Sequence, residues 1–99
     1  MNQAAYYSAT LHYLNAVKTV GSTDSDKVMV EMKKAKINDM FVKGGYVRAD
    51  GVMIHPMYVM QVKTPAESKY PWDYYKVIKT MPGEEAFGAI TGKCSIAKK

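Results

Sequence analysis

Cysteine, arginine, histidine and long apolar runs are all scarce in these 99 residues, and each scarcity removes a class of function. The one cysteine, Cys94, has no internal disulfide partner, and no histidine or acid stands near it in sequence to activate its thiol. Any disulfide partner would have to come from outside these residues. Arg48 is the only arginine, and the formal charge of +5 comes from lysines scattered along the chain. Nucleic-acid modules gather Lys and Arg on one face and use arginine for bidentate contacts, so no nucleic-acid partner is expected. His12 and His55 are the only imidazoles. Zinc needs three or four converging ligands, so neither a metal nor a cofactor is expected. No stretch approaches the about 18 apolar residues of a membrane helix. The opening Met-Asn-Gln-Ala-Ala lacks the basic start and apolar stretch of a secretory signal, so as written the chain is expected to carry no export address.

What is present is an ordinary globular composition, 47% hydrophobic and 23% charged, with a length that allows one small core and no second. From Gln3 to Val20 the residues Tyr7, Leu11, Leu14 and Val17 recur at steps of three and four, which predicts a helix with that stripe inward. Gly21 is a natural stop. Thr23-Asp24-Ser25-Asp26 supplies capping oxygens for a second helix running to about Lys36, with Val28, Met29, Met32 and Ala35 inward.

After Gly44-Gly45, read as a turn, the pattern becomes that of strands. Tyr46-Val47-Arg48 and Val52-Met53-Ile54 flank Ala49-Asp50-Gly51, a hairpin signal. Met57 to Lys63 and Tyr74 to Thr80 read as two more strands, the second ended by Pro82-Gly83. The expected fold is α+β, two helices followed by an antiparallel hairpin or meander. It forms a single partial domain over 1–99, with a helical part at 1–43 and a hairpin and C-terminal strand part at 44–99. Such a layer leaves one face needing cover, as in a fragment or an oligomer.

The run from Gly44 to Gly51, continuing through Met57-Tyr58-Val59-Met60-Gln61-Val62-Lys63-Thr64-Pro65-Ala66-Glu67-Ser68-Lys69 to Pro71-Trp72-Asp73-Tyr74-Tyr75-Lys76, resembles the closing segment of substrate-binding proteins of ABC importers, of the branched-chain-amino-acid type. Ala5-Tyr6-Tyr7-Ser8-Ala9 with His12-Tyr13-Leu14 is similar to the helix before it. The resemblance implies a piece of a type I periplasmic-binding-protein α/β lobe, whose partners are the remainder of the two lobes, a membrane permease and a small solute. Branched-chain amino acids, amides or aromatic carboxylates are the solutes implied. The parent type is periplasmic and non-enzymatic, and works by hinge closure. Most of the ligand cleft is absent from this sequence, so the chain is expected not to bind ligand alone.

Tyr6 and Tyr7 are the candidate ligand-binding residues, since proteins of the resembled type bring this helix start to the cleft. For Tyr7 a place on the buried stripe with Leu11 is the favoured reading, since an aromatic on an apolar face is more often core. His12 reads as a surface or interface group and His55 as part of a bend before Pro56. Glu84-Glu85, about 100° apart on a helix, cannot converge on one atom and suit a helix start. Trp72-Asp73-Tyr74-Tyr75 reads either as a partner anchor or as a plug over the hairpin edge. The methionines read as adaptable core filler. No nucleophile, base and orienter can be placed together, so no enzyme is expected. The rival to a solute-binding role is a small module that self-associates, as a homodimer, through its exposed faces.

Overall fold

The computed structural model describes residues 2–93 and 95; Cys94 and the terminal lysines 98 and 99 lie outside the described residues. Helix α1 spans Asn2–Val20 and α2 spans Ser25–Lys34. Gly21 ends α1 in the left-handed region, φ 68, with its N–H on the Val17 carbonyl at 2.8 Å. Asp24 caps α2 by accepting the Lys27 N–H at 3.1 Å, while Asp26 in the first turn and Lys33 and Lys34 in the last complement the dipole.

The buried residues of α1 are Ser8, His12 and Ala16, four residues apart. This is not the stripe that the apolar spacing predicts: Tyr7 and Leu14 are exposed and Leu11 only half-buried. The polar residues can be inside because both find partners. The Ser8 hydroxyl donates to Asp39 Oδ2 at 2.6 Å, and His12 Nε2 donates to the Met32 carbonyl at 2.8 Å. Histidine 12 is therefore buried. On α2 Val28 is buried as expected, Met32 is half-buried, and Met29 turns outward.

Strands β1 (Ile37–Asn38), β2 (Lys43–Val47) and β3 (Met53–Ile54) form an antiparallel sheet in the order β1-β2-β3. Strand structure thus begins before residue 44, and Gly44-Gly45 lies within β2 instead of forming a turn. Ile37 opposes Gly45 and Asn38 opposes Lys43, leaving Gly44 as an extra, bulged residue at φ 70. Gly45 is a close approach: a Cβ there would stand 3.0 Å from Val42 and 3.2 Å from the Ile54 carbonyl. The β2–β3 hairpin forms where expected, with Tyr46 opposite Ile54 and Val47 opposite Met53, and Gly51 at φ 87 in its turn. Arg48 grips Asp50 by two bonds, 3.0 and 2.8 Å, and donates from Nη1 to the Gly88 carbonyl at 2.6 Å. The apolar core is small: Ala16, Val28, Ile37, Val42 and Ile54.

Strands β4 (Met57–Val62) and β5 (Tyr75–Met81) pair with each other as a two-stranded antiparallel ribbon. Its register slips by one residue: Val59 opposes Lys79 and Met60 opposes Val77, so Ile78 is bulged. Residues opposite each other share a face. One face therefore carries Tyr58, Met60, Val62, Tyr75, Val77 and Thr80, and the other Met57, Val59, Gln61, Lys76, Lys79 and Met81. The loop between the strands is held by two carboxylates. Asp73 accepts Lys63 Nζ at 2.6 Å and the Lys69 N–H at 3.1 Å; Glu67 takes the Thr64 N–H and hydroxyl together with the Lys76 ammonium. Within the aromatic cluster Asp73 is the buried member, whereas Trp72 is 82% exposed at φ 72. It plugs nothing. Helix α3 (Gly83–Phe87) follows, with Glu84 and Glu85 in its first turn and no side-chain cap from Pro82.

Candidate functional site

The two candidate tyrosines stand at the N-terminal end of α1, Tyr6 76% and Tyr7 51% exposed. Together with Thr10, Leu11 and Leu14 they line an open, almost wholly apolar groove of about 350 Å³. Tyr6 also lines a second hollow of about 300 Å³, whose other walls are Asn2, Ala5, Ala9, Phe41, Met53 and His55. One aromatic side chain thus bridges two depressions. Its neighbour Tyr7 belongs to the outer one only.

The floor of the second hollow is fixed from three elements. Asp39 organises the β1–β2 loop: its Oδ1 accepts the Phe41 and Val42 N–H groups at 2.8 and 2.9 Å, and its Oδ2 accepts Ser8 of α1. Burial by itself raises the Asp39 pKa, but the Ser8 hydroxyl, the two amides and nearby Lys43 outweigh it and hold the carboxyl below its usual value. Helix α1 is thereby tied to the loop that presents Phe41. His55, just after β3, lies between two rings, 5.1 Å from Phe41 and 5.1 Å from Phe87 of α3. Its Nδ1 is 2.9 Å from the Pro56 carbonyl, which can only accept, so Nδ1 carries the hydrogen. In the neutral ring Nε2 is then left as an acceptor.

The arrangement suits recognition of an apolar or aromatic group more than bond making. Walls are rings, methyls and a thioether, with a few convergent polar atoms to orient a ligand. Among the described residues no three of His, Cys, Asp and Glu converge to hold a metal ion. Glu84 and Glu85 are spent on the start of α3, where Glu85 reaches Lys79 at 3.9 Å. The sequence pointed to Tyr6 and Tyr7 alone. Phe41, Met53 and His55 went unremarked as site residues because nothing in a linear pattern places a loop, a two-residue strand and a bend under one helix.

A family model described as periplasmic binding protein matches residues 1–69. Two solved structures superpose on nearly the whole chain. A periplasmic binding protein from Burkholderia mallei is 58% identical, with a TM-score of 0.88 over 95% of this chain and 25% of its own. A branched chain amino acid ABC transporter periplasmic ligand-binding protein from Burkholderia xenovorans is 39% identical, with a TM-score of 0.88 over 97% of this chain and 26% of its own. No curated protein matches the chain significantly. The chain spans about a quarter of the length of the structures it matches. Its mixed helices and antiparallel strands are those of a piece of that fold, and the chain belongs to the periplasmic binding protein family.

Proposed function

We propose that this chain works as part of the solute-binding component of an ABC importer that takes up an amino acid, an amide or an aromatic acid. The observation that carries the reading is the superposition of 97% of the chain on a branched-chain amino acid ligand-binding protein. The groove and hollow around Tyr6 add support, since they are apolar, aromatic and short of charge. In this reading the remainder of two lobes covers the outward apolar side of α1, at Tyr7, Leu11 and Leu14, and supplies most of the cleft. Solute is bound by closure of the lobes about a hinge, without covalent chemistry, and the closed form is offered to a permease at the periplasmic face of the membrane. The chain by itself, holding one edge of the site, binds solute feebly or not at all.

Grafting these residues in place of the matching quarter of the Burkholderia mallei protein tests the reading. Titration calorimetry with leucine, a short amide and an aromatic carboxylate should then find one tight solute, and Tyr6→Ala should weaken it by about tenfold or more, the scale of one lost aromatic contact. A folded graft that binds none of the three defeats the solute-binding reading. A graft that binds equally well with and without Tyr6 removes that residue from the site.

A further inference from the structure

We propose that Asp50 is a latent site of spontaneous isomerisation to isoaspartate, and that Arg48 guards it by holding both of the reacting groups. The chemistry belongs to any aspartate followed by glycine. The Gly51 nitrogen attacks Asp50 Cγ, a new N–Cγ bond forms, and the amide hydrogen leaves with the carboxyl hydroxyl as water. Water then opens the five-membered imide at either carbonyl. Opening at Cγ restores aspartate, whereas opening at the main-chain carbonyl leaves the backbone running through the former side chain, one methylene longer. A glycine nitrogen is the easiest to reach, because no Cβ shields it. Of the five aspartates only Asp50 is followed by glycine, and none of the three asparagines is.

The fold restrains nucleophile and electrophile through one residue. The Arg48 carbonyl accepts the Gly51 N–H at 2.9 Å, closing a turn in which Gly51 sits at φ 87. The Arg48 guanidinium takes both carboxylate oxygens, Nε on Oδ1 at 3.0 Å and Nη2 on Oδ2 at 2.8 Å, and the Val52 N–H donates to Oδ1 at 3.3 Å. To cyclise, the carboxyl must give up these bonds and turn its carbon to the nitrogen, while the Gly51 amide leaves its own partner. The same bonds suppress the reactive form. A carboxylate cannot expel oxide, so closure runs through the neutral acid. The Arg48 hydrogen bonds first, then the Val52 N–H, hold the Asp50 carboxyl below its usual value against the effect of burial. The guard is itself anchored: Nη1 donates to the Gly88 carbonyl at 2.6 Å, and the Arg48 and Asp50 side chains are only 13% and 11% exposed. Lys33 of α2 donates to the Ala49 carbonyl at 3.1 Å and pins the turn from the other side. An added methylene would break the 2.8 Å bond from the Arg48 N–H to the Val52 carbonyl, and with it the register that sets Val47 opposite Met53 and Tyr46 opposite Ile54. Met53 lines the hollow beside Tyr6 and Ile54 is core, so both would be disturbed. The inference stands independently of the solute-binding reading.

Ageing the full chain at body temperature and neutral pH, with isoaspartate at position 50 quantified by electron-transfer mass spectrometry, tests it. Folded wild type should isomerise at least about tenfold more slowly than the same chain in urea, and folded Arg48→Gln about tenfold faster than folded wild type, the factor that one charge-assisted hydrogen bond carries. Arg48→Lys, which keeps the charge and loses the fork, should fall between the two. His12→Ala, which removes a bond between the helices and leaves the turn alone, should age as wild type does. Circular dichroism establishes which variants are folded. Where Arg48→Gln fails to fold, Arg48→Lys decides: acceleration over wild type supports the proposal and an unchanged rate overturns it. A folded Arg48→Gln that ages at the wild-type rate overturns it, as does a wild type that isomerises as fast folded as in urea. Equal acceleration in His12→Ala also overturns it, by assigning the protection to overall stability.

Discussion

Asp39 serves Ser8, Phe41 and Val42 at once, joining the helical layer to the turn that presents Phe41. Leaving a buried donor unsatisfied costs about 1–3 kcal/mol, so Asp39→Ala should lower stability by about 2–3 kcal/mol in urea titration. Asp39→Asn should recover part of this. His12→Ala strands the Met32 carbonyl in the α1–α2 interface and should cost about 1–3 kcal/mol by the same argument. Glu67 carries a pH signature. The Lys76 ammonium first, then the Thr64 N–H and hydroxyl, hold its pKa down to about 2 from an ordinary 4.5. A carboxyl depressed by folding stabilises above its unfolded pKa, and that contribution is lost as pH falls through the folded value. The stability difference between wild type and Glu67→Gln should therefore be full above about pH 5 and vanish toward pH 2; a difference constant with pH would sink this assignment. Residue roles were legible in the sequence where the partner is near. Asp24 caps a group three residues on, but Ser8 and His12 bond partners 31 and 20 residues away, beyond any local pattern.

The elements themselves were largely readable, because helix period, Gly21 and the Asp50-Gly51 turn are all local signals. Which helix face is buried was not. Apolar spacing favoured Tyr7, Leu11 and Leu14, whereas the buried row is Ser8, His12 and Ala16, where the two polar members find hydrogen-bond partners. The two bulges were hidden for a related reason: a strand's phase is decided by its partner, and neither Gly44 nor Ile78 announces an extra residue in its own sequence. The candidate site shared this fate. Tyr6 and Tyr7 were accessible through the helix they open, while Phe41, Met53 and His55 needed the tertiary arrangement. The junction of α3 with β3 yields a sharper prediction. A Cβ on Gly83 would lie 2.6 Å from Ile54 Cγ2 and 2.9 Å from both the N and O of His55. Backbone cannot step aside as a flexible side chain does. Gly83→Ala should cost about 1–3 kcal/mol and disturb the Phe87–His55 contact, read by thermal unfolding and by the histidine ring resonances.

The molecule measures 52 × 31 × 18 Å, long for its 99 residues, and among the described residues only five apolar side chains are buried. So small a core makes the free chain marginal. Its one tryptophan reports on what the β4–β5 loop touches. With Trp72 at 82% exposure, the emission should lie at the red limit and be quenched freely by acrylamide; a blue-shifted, protected indole would mean that the loop is covered. The bulged Ile78 leaves this molecule with a residue to spare. An in-frame loss of one codon from a strand normally inverts every side chain beyond it. Here, removing Ile78 would leave Val77 opposite Met60 and Lys79 opposite Val59, the faces unswitched and the ladder regularised. The strand that looks least able to shorten is the place where the gene can lose three nucleotides and keep the architecture.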